Sequence, residues 1–493
     1  MQGRRFSWLL LGLCTAAVGC LDDPEEEGRA VRVKSVQRHV MPGEAKEVPW
    51  DSSAPPLEMF RLEGENYVPV AGTVDAEGRS VFDDAPAGTY FLRRGASMVV
   101  TDAREVDLST HTLGRPDVDS FTREPALDLS VNGLEPWVAS ESYPSELDFM
   151  SENVGAFAAM RTSAREGETA ILDSAPGVQI SLNMSTRFTG TKGDGAWILQ
   201  RTPRVWETVQ GGARVTYDSV GRALNTEHFT YEGSGPLRLT GTLKTLPMKE
   251  LSLDWKVPSF MALASEVNPA AVGGRSSFYI FPAPHGLAHG AVGFSGWLLG
   301  MSTPAEPTQL TGRFVYGNPY PSSWPEVAAA TVTFMVPLET SGEAPYSTRA
   351  TLSVTGAPSA LASGALLPLV QPPQKLMVDG QDASTARGFS SESVVLQWQA
   401  PARGTPNAYE VSVLSLTGAS GSRSEKRVLS IAMDGGTTSV RIPKGTLVRD
   451  ERYFFRVRAI QAPGYNAKGR PFIFTGNATS ATADAVSGLL TFQ

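Results

Sequence analysis

Apolar and polar residues alternate in short runs along most of this chain. Val178-Gln179-Ile180-Ser181-Leu182-Asn183-Met184, Leu237-Arg238-Leu239-Thr240-Gly241-Thr242-Leu243 and Ala330-Thr331-Val332-Thr333-Phe334-Met335-Val336 put every second side chain on one face, the period of a half-buried strand. Clusters of Gly, Pro, Asn and Ser separate such runs, so the pattern predicts many short strands joined by turns. Between Val68 and Leu92 two alternations flank Asp75-Ala76-Glu77-Gly78, which predicts a hairpin whose Gly takes the positive φ of the bend. Helical signals are brief: Ser145–Met150 after Pro144, and Ser259–Val267 after Pro258, halted at Asn268-Pro269. Leu239-Thr240-Gly241-Thr242-Leu243 resembles Leu310-Thr311-Gly312-Arg313-Phe314 closely enough to suggest an internal duplication. The fold class expected is all-β, with several β-sandwich domains in series.

Composition agrees with that pattern. The chain has 48 Gly and 35 Pro among 493 residues and only 19% charged residues, which argues against coiled coils and helical bundles. At roughly 150 residues per domain the length allows about three domains. A net charge of −8 without a dense Lys/Arg block lacks the footprint of a nucleic-acid binder.

The N-terminus changes the picture most. Arg4 and Arg5 precede an apolar stretch, Phe6 to Val18, and small residues ending at Cys20, the three-part pattern of an export signal. The stretch is well short of the ~20 residues a spanning helix needs, so it reads as a cleaved leader. Ala17-Val18-Gly19-Cys20 resembles the bacterial lipobox, with Ala17 where Leu is commonest. That resemblance implies cleavage before Cys20 and diacylation (palmitate-type) of its sulfur, hence a lipoprotein anchored to the bacterial membrane, with Leu21 after the Cys favouring the outer membrane. Cysteine economy agrees: the chain has 2 Cys, and Cys14 would leave with the leader. Two acyl chains make a durable tether at ~0.8 kcal/mol per buried CH₂. Leu21-Asp22-Asp23-Pro24-Glu25-Glu26-Glu27-Gly28 then reads as an acidic, flexible stalk.

Two further resemblances organise the exported part. Gly72-Thr73-Val74, the Asp75–Gly78 turn, Phe82 and Pro86-Ala87-Gly88-Thr89-Tyr90 are similar to the carboxypeptidase-regulatory-like (transthyretin-like) β-sandwich modules, which serve as structural or binding appendages. Val394-Val395-Leu396-Gln397-Trp398, Tyr409-Glu410-Val411-Ser412-Val413 and Leu447 six residues before Tyr453 resemble a fibronectin type III domain, with its buried Trp and its tyrosine corner. The region from Pro372 to Gln493 exceeds the ~100 residues of such domains, with extra chain at 417–426 and after Gln461. The expected organisation is a signal peptide at 1–19, an acylated linker at 20–31, a transthyretin-like sandwich at 32–114, a β-rich middle region of one large or two sandwich units at 115–370, and a fibronectin type III-like domain at 371–493.

Candidate chemistry is sparse. His285 and His289 are close in sequence, but Pro284 and two glycines disfavour the helix that would bring them to one metal, and no carboxylate flanks them. Gly293-Phe294-Ser295-Gly296 and Gly233-Ser234-Gly235 lack the spacing of a nucleophile elbow. Asp117-Val118-Asp119 starts like a calcium loop without its Gly and distal Glu, and reads as a polar turn. No catalytic residue, metal or cofactor is expected. In the segment from Phe314 to Pro325, Tyr316, Tyr320 and Trp324 are spaced by prolines as a possible platform for a sugar ring or a proline-rich peptide. The reading is a non-catalytic binding or structural lipoprotein of the cell envelope, whose partners are the membrane through its lipid, envelope proteins or polysaccharide. The alternative is a carbohydrate-active or other hydrolase with its site in 115–370, because a carboxylate pair is spatial and hides in a single sequence.

Overall fold

The computed structural model describes residues 30–50, 55–119, 127–160, 162, 164–172, 179–181, 186–206, 215–284, 296–304, 309–340, 343–418, 422–473 and 479–493. Strands dominate. The α-helices among the described residues are Val257–Met261, Ala264–Val267 and Pro358–Leu361. The first two realise the expectation for Ser259–Val267, with Pro258 in the opening turn and Asn268 extended at the end. The helix expected over Ser145–Met150 is instead a strand, Glu146–Ser151. It is paired on both sides, by Ala156–Met160 and by Trp197–Trp206, and this two-sided ladder overrides the local Pro-Ser start signal.

The N-terminal unit is a sandwich. One sheet orders Glu105–Asp107, Val31–Lys34, Ser80–Phe82 and Thr73–Val74; facing it are Leu57–Glu63, Asn66–Val70, Tyr90–Arg94 and Ser97–Thr101. Val31, Val33, Met59, Phe82, Tyr90 and Leu92 fill the space between them. The predicted hairpin forms: Thr73–Val74 pairs with Ser80–Phe82, Gly78 has φ +77°, and the Asp75 carboxylate accepts from the Glu77 and Arg79 amides. Its first strand begins at Val31, one residue inside the expected linker.

The middle region holds two cores. Leu127–Asn132, flanked by Ala170–Ile171 and Leu237–Thr242, covers a first one around Phe149, Phe188, Ile198 and Trp137. Met248–Trp255, flanked by Leu310–Gly317 and Ala365–Leu366, belongs to a second, around Trp255, Phe278, Phe314 and Phe334, which runs without a break into the C-terminal domain. The two Leu-Thr-Gly segments sit in different sheets: Leu237–Thr242 runs parallel to Leu127–Asn132, whereas Leu310–Gly317 runs antiparallel to Met248–Trp255. Their shared glycine has a local reason in each place, because a Cβ would meet Leu224 at Gly241 and the Trp206 indole at Gly312.

The C-terminal domain has fibronectin type III-like topology. Gln374–Val378, Val395–Gln399 and Ser439–Arg441 form one sheet; Ser424–Asp434, Ala408–Thr417, Arg452–Gln461 and Ser480–Val486 form the other. Trp398 is buried edge-on to Tyr409, and the Tyr453 hydroxyl accepts from the Val448 amide at 2.8 Å, the expected tyrosine corner. The additional chain after Gln461 is a long connection between the last two long strands.

This domain is last in sequence but lies between the other two units. Ser480–Val486, one edge of its larger sheet, pairs antiparallel with Glu343–Gly356 of the middle region. Ser424–Asp434, the opposite edge, pairs parallel with Ser97–Thr101 of the N-terminal sandwich. Among the described residues one hydrogen-bonded sheet of 20 strands therefore runs through all three units. Open edges invite pairing with other chains, and here each is covered by a neighbouring unit of the same chain.

Candidate functional site

The segment Asn318–Pro325 joins the Leu310–Gly317 strand to the long strand Glu326–Thr340. Its three prolines forbid a helix, and two local bonds fold it back: Asn318 Oδ1 accepts from the Tyr320 amide at 2.9 Å, and the Pro321 carbonyl accepts from the Trp324 amide at 2.9 Å. Sequence spacing suggested an open stacking platform. The structure corrects this, because Tyr316, Tyr320 and Trp324 are only 3%, 6% and 5% exposed. Tyr320 stacks on Trp324 with ring centres 4.8 Å apart, meets Trp197 edge-on at 5.2 Å, and donates to the Met150 sulfur. The turn folds the rings inward, where their large apolar faces pack in the core.

What the segment does create is two clefts, one on each side, with Trp324 lining both. The larger, about 1160 Å³, is open and is floored by Met248–Ser252, Tyr316, Asn318 and Glu326. Glu326 is saturated there: its carboxylate accepts from Lys249 Nζ at 2.6 Å, the Tyr316 hydroxyl at 2.7 Å and Asn318 Nδ2 at 2.6 Å. Burial alone would raise its pKa, but these three donors and the lysine charge outweigh that and hold it below the ordinary glutamate value. The group is a fixed anion suited to organising its neighbours, and a poor proton acceptor.

The smaller cleft, about 640 Å³, lies between the Met41–Ala45 turn of the N-terminal unit and Glu152, Pro284, Pro321 and Trp324 of the middle region. Here the acid is not saturated. Glu152 takes a hydrogen bond from the Trp197 side chain, yet its Oε2 is buried without a partner. Desolvation pushes its pKa above the ordinary glutamate value, against the opposing pull of its own backbone amide, the Trp197 hydrogen bond and His228.

A third polar constellation centres on the buried Arg201 and Asp148. Arg201 is held by Asp148, Glu146 and Asp218, with Arg201 Nε 2.5 Å from Asp148 Oδ2 and its guanidinium 4.3 Å from the centre of the Trp297 ring. Trp297 Nε1 donates to Asp218 at 3.0 Å. Asp148 is fully buried, and burial raises its pKa against the pull of Arg201. The carboxylates that the fold gathers here are all bound to one cation, an arrangement for holding strands together.

Neither acid cleft group, Glu326 or Glu152, was singled out in the sequence. Glu326 lies one residue beyond the aromatic segment, and Glu152 sits in a turn with no motif around it. The internal cluster did leave a trace, since Asp148 interrupts the apolar run Leu147–Met150 in a strand that pairs with the one carrying Arg201. Asp117 of the calcium-like run binds Arg115 Nη1 at 2.7 Å and Lys192 Nζ at 2.5 Å, as a polar turn should. Cys20, His285, His289 and Ser295 lie outside the described residues.

No family model matches the chain, and no curated protein does. Among solved structures it is similar to the FN1–FN3 domains of chicken CNTN1, at 11% identity over 74% of this chain and 99% of that one, with a TM-score of 0.14. It is also similar to Salmonella alpha-2-macroglobulin reacted with methylamine, at 11% identity over 90% of this chain and 30% of that one, with a TM-score of 0.13.

Proposed function

We propose that this chain is a lipid-tethered, non-catalytic binding or structural protein of the bacterial envelope, acylated at Cys20 and carried on the outer membrane. The observation behind the reading is the sheet that passes through all three units. Strand pairing at both edges of the C-terminal domain turns the three units into one continuous body, which suits a spacer or a presenting surface better than a flexible string of domains. The N-terminal sandwich is read as a carboxypeptidase-regulatory-like appendage on that body. The leader, the lipobox-like Ala17–Cys20 and the acidic stalk supply the tether. Envelope proteins or polysaccharide are the partners, met at the clefts beside Asn318–Pro325.

The test is detergent phase separation of cells expressing the full chain and its Cys20→Ser variant. The parent should enter the detergent phase and the variant the aqueous phase. A variant that stays with the membrane as the parent does overturns the anchor.

A further inference from the structure

The larger cleft borders a strand edge that is left incomplete. Leu310–Gly317 pairs with all 8 residues of Met248–Trp255 on one side, whereas on the other Ala365–Leu366 pairs with Asp254 and Trp255 alone. Among the described residues no strand pairs with that second edge from Met248 to Leu253. Two hydrogen bonds fix which backbone groups face it. The Lys256 amide donates to the Leu366 carbonyl at 3.1 Å, so strand alternation turns the N–H and C=O of Met248, Glu250 and Ser252 to the same side, about 7 Å from one residue to the next. The Val315 amide, opposite Glu250 in the register, donates to the Tyr217 hydroxyl at 3.2 Å, as expected where Glu250 turns its own backbone the other way. Met248, Glu250 and Ser252 line the cleft, together with Ala357, Pro358 and Ala362 around the short helix that precedes the Ala365–Leu366 strand.

We infer that this edge binds an extended segment of a partner polypeptide, which adds a strand beside Met248–Ser252 and prolongs the line of Ala365–Leu366. Free donors and acceptors that repeat every second residue are matched in spacing and polarity by the backbone of another strand. A sugar is served less well, because the Tyr316, Tyr320 and Trp324 rings are buried and offer no open face for stacking. The charges select an uncharged segment. Charged side chains commonly blunt an open edge, but here Lys249 is held by Glu326 at 2.6 Å and Glu250 by Arg313 at 3.3 Å, so each charged residue lining the cleft already has its counter-charge. The inference rests on the binding-protein reading above and narrows its partner to a polypeptide.

NMR-detected hydrogen exchange of the full chain tests this with a capped probe, acetyl-Thr-Val-Thr-Val-Thr-amide, and the same peptide N-methylated at every residue. In the free chain the Glu250 and Ser252 amides should exchange faster than those of Lys249 and Leu251, which face Leu310–Gly317. Saturating probe should slow Glu250 and Ser252 about tenfold, and the methylated peptide, with the same side chains and no donors, should leave them unchanged. Glu250→Pro removes one edge donor at a position where a strand tolerates proline, and should weaken probe binding about tenfold. Glu250→Gln removes the charge, keeps the amide and should leave binding unchanged. Equal protection by the two peptides, no protection by either, or unchanged affinity in a folded Glu250→Pro chain overturns the proposal. Slow exchange in the free chain, with a dimer in sedimentation equilibrium that Glu250→Pro dissociates, assigns the edge to a second copy and overturns it as well. Phase partitioning of the same samples does not depend on this edge, so failure here leaves the tether reading to its own test.

Discussion

The two junctions of the C-terminal domain solve the same problem by different means. Toward the middle region, Leu352–Thr355 pairs antiparallel with Ser480–Ala483, and apolar side chains of both strands enter one shared core. Asp484, 1% exposed, closes this joint by accepting from Arg458 at 2.7 Å and from the amide and hydroxyl of Thr351 across it. Toward the N-terminal unit, the ladder is parallel and covers only Ser97–Val99 and Ser430–Ala432. The long connection after Gln461 adds polar links: the Gly469 carbonyl accepts from the Asp107 amide, the Lys468 carbonyl accepts from Thr101 Oγ1, and Lys468 Nζ meets Asp102 at 2.8 Å with both side chains nearly half exposed. The extra length that departs from an ordinary fibronectin type III-like domain is thus the piece that clasps the neighbour. Both junctions bury apolar side chains in that core, which Phe91, Met98 and Val100 enter from the N-terminal unit; only the first adds a buried, fully partnered anion, whereas the second adds backbone contacts and solvated charges.

The comparison breaks most visibly at Asp484. Asp484→Ala leaves the half-buried Arg458 and the Thr351 donors without their acceptor and should cost about 3 kcal/mol in urea unfolding. Its pH dependence has a definite sign. Burial raises the Asp484 pKa, but Arg458, Arg456 and the Thr351 amide outweigh burial and hold it below the ordinary aspartate value. The folded state therefore binds this proton less readily than the unfolded chain. The stabilisation is present above the ordinary aspartate pKa of about 3.9 and is lost as pH falls through the folded value. The stability gap between parent and Asp484→Ala should accordingly narrow on acidification below about pH 4; a gap that is constant from pH 7 to pH 3 refutes the assignment.

The N-terminal junction should respond less. Tyr67 donates its hydroxyl to the Arg441 carbonyl at 2.5 Å, a half-buried bond between the N-terminal unit and the C-terminal domain. Tyr67→Phe should cost about 1 kcal/mol and raise amide exchange in Ser97–Thr101 before it does so in Glu343–Gly356. Equal exchange in both segments would show that the two joints open together. Lys468→Ala is the smallest lesion, a few tenths of a kcal/mol by differential scanning calorimetry, and that difference should vanish in 1 M salt. The effect of Asp484→Ala should largely survive the same salt, since the carboxylate itself is buried away from ions.

Strand alternation, the Asp75–Gly78 turn, Trp398 and the tyrosine corner were legible because each is set by residues close in the chain. The same local reasoning misjudged Ser145–Met150, where pairing with strands from Ala156 and Trp197 outweighs the start signal. It also misjudged Tyr316, Tyr320 and Trp324, since aromatic spacing does not reveal which way a proline turn folds. Glu152 was invisible for a related reason: a lone acid acquires meaning only from the Met41–Ala45 turn that closes over it from more than a hundred residues away in sequence.

The sequence by itself determined that this is a chain of strands and tight turns, because side-chain period and glycine or proline placement act over a few residues. Only the tertiary structure decided that the last domain sits between the first and the middle ones, and which acids are left without a cation. Edge-to-edge strand pairing is made by backbone groups common to nearly every residue, so no side-chain pattern marks which edges will meet.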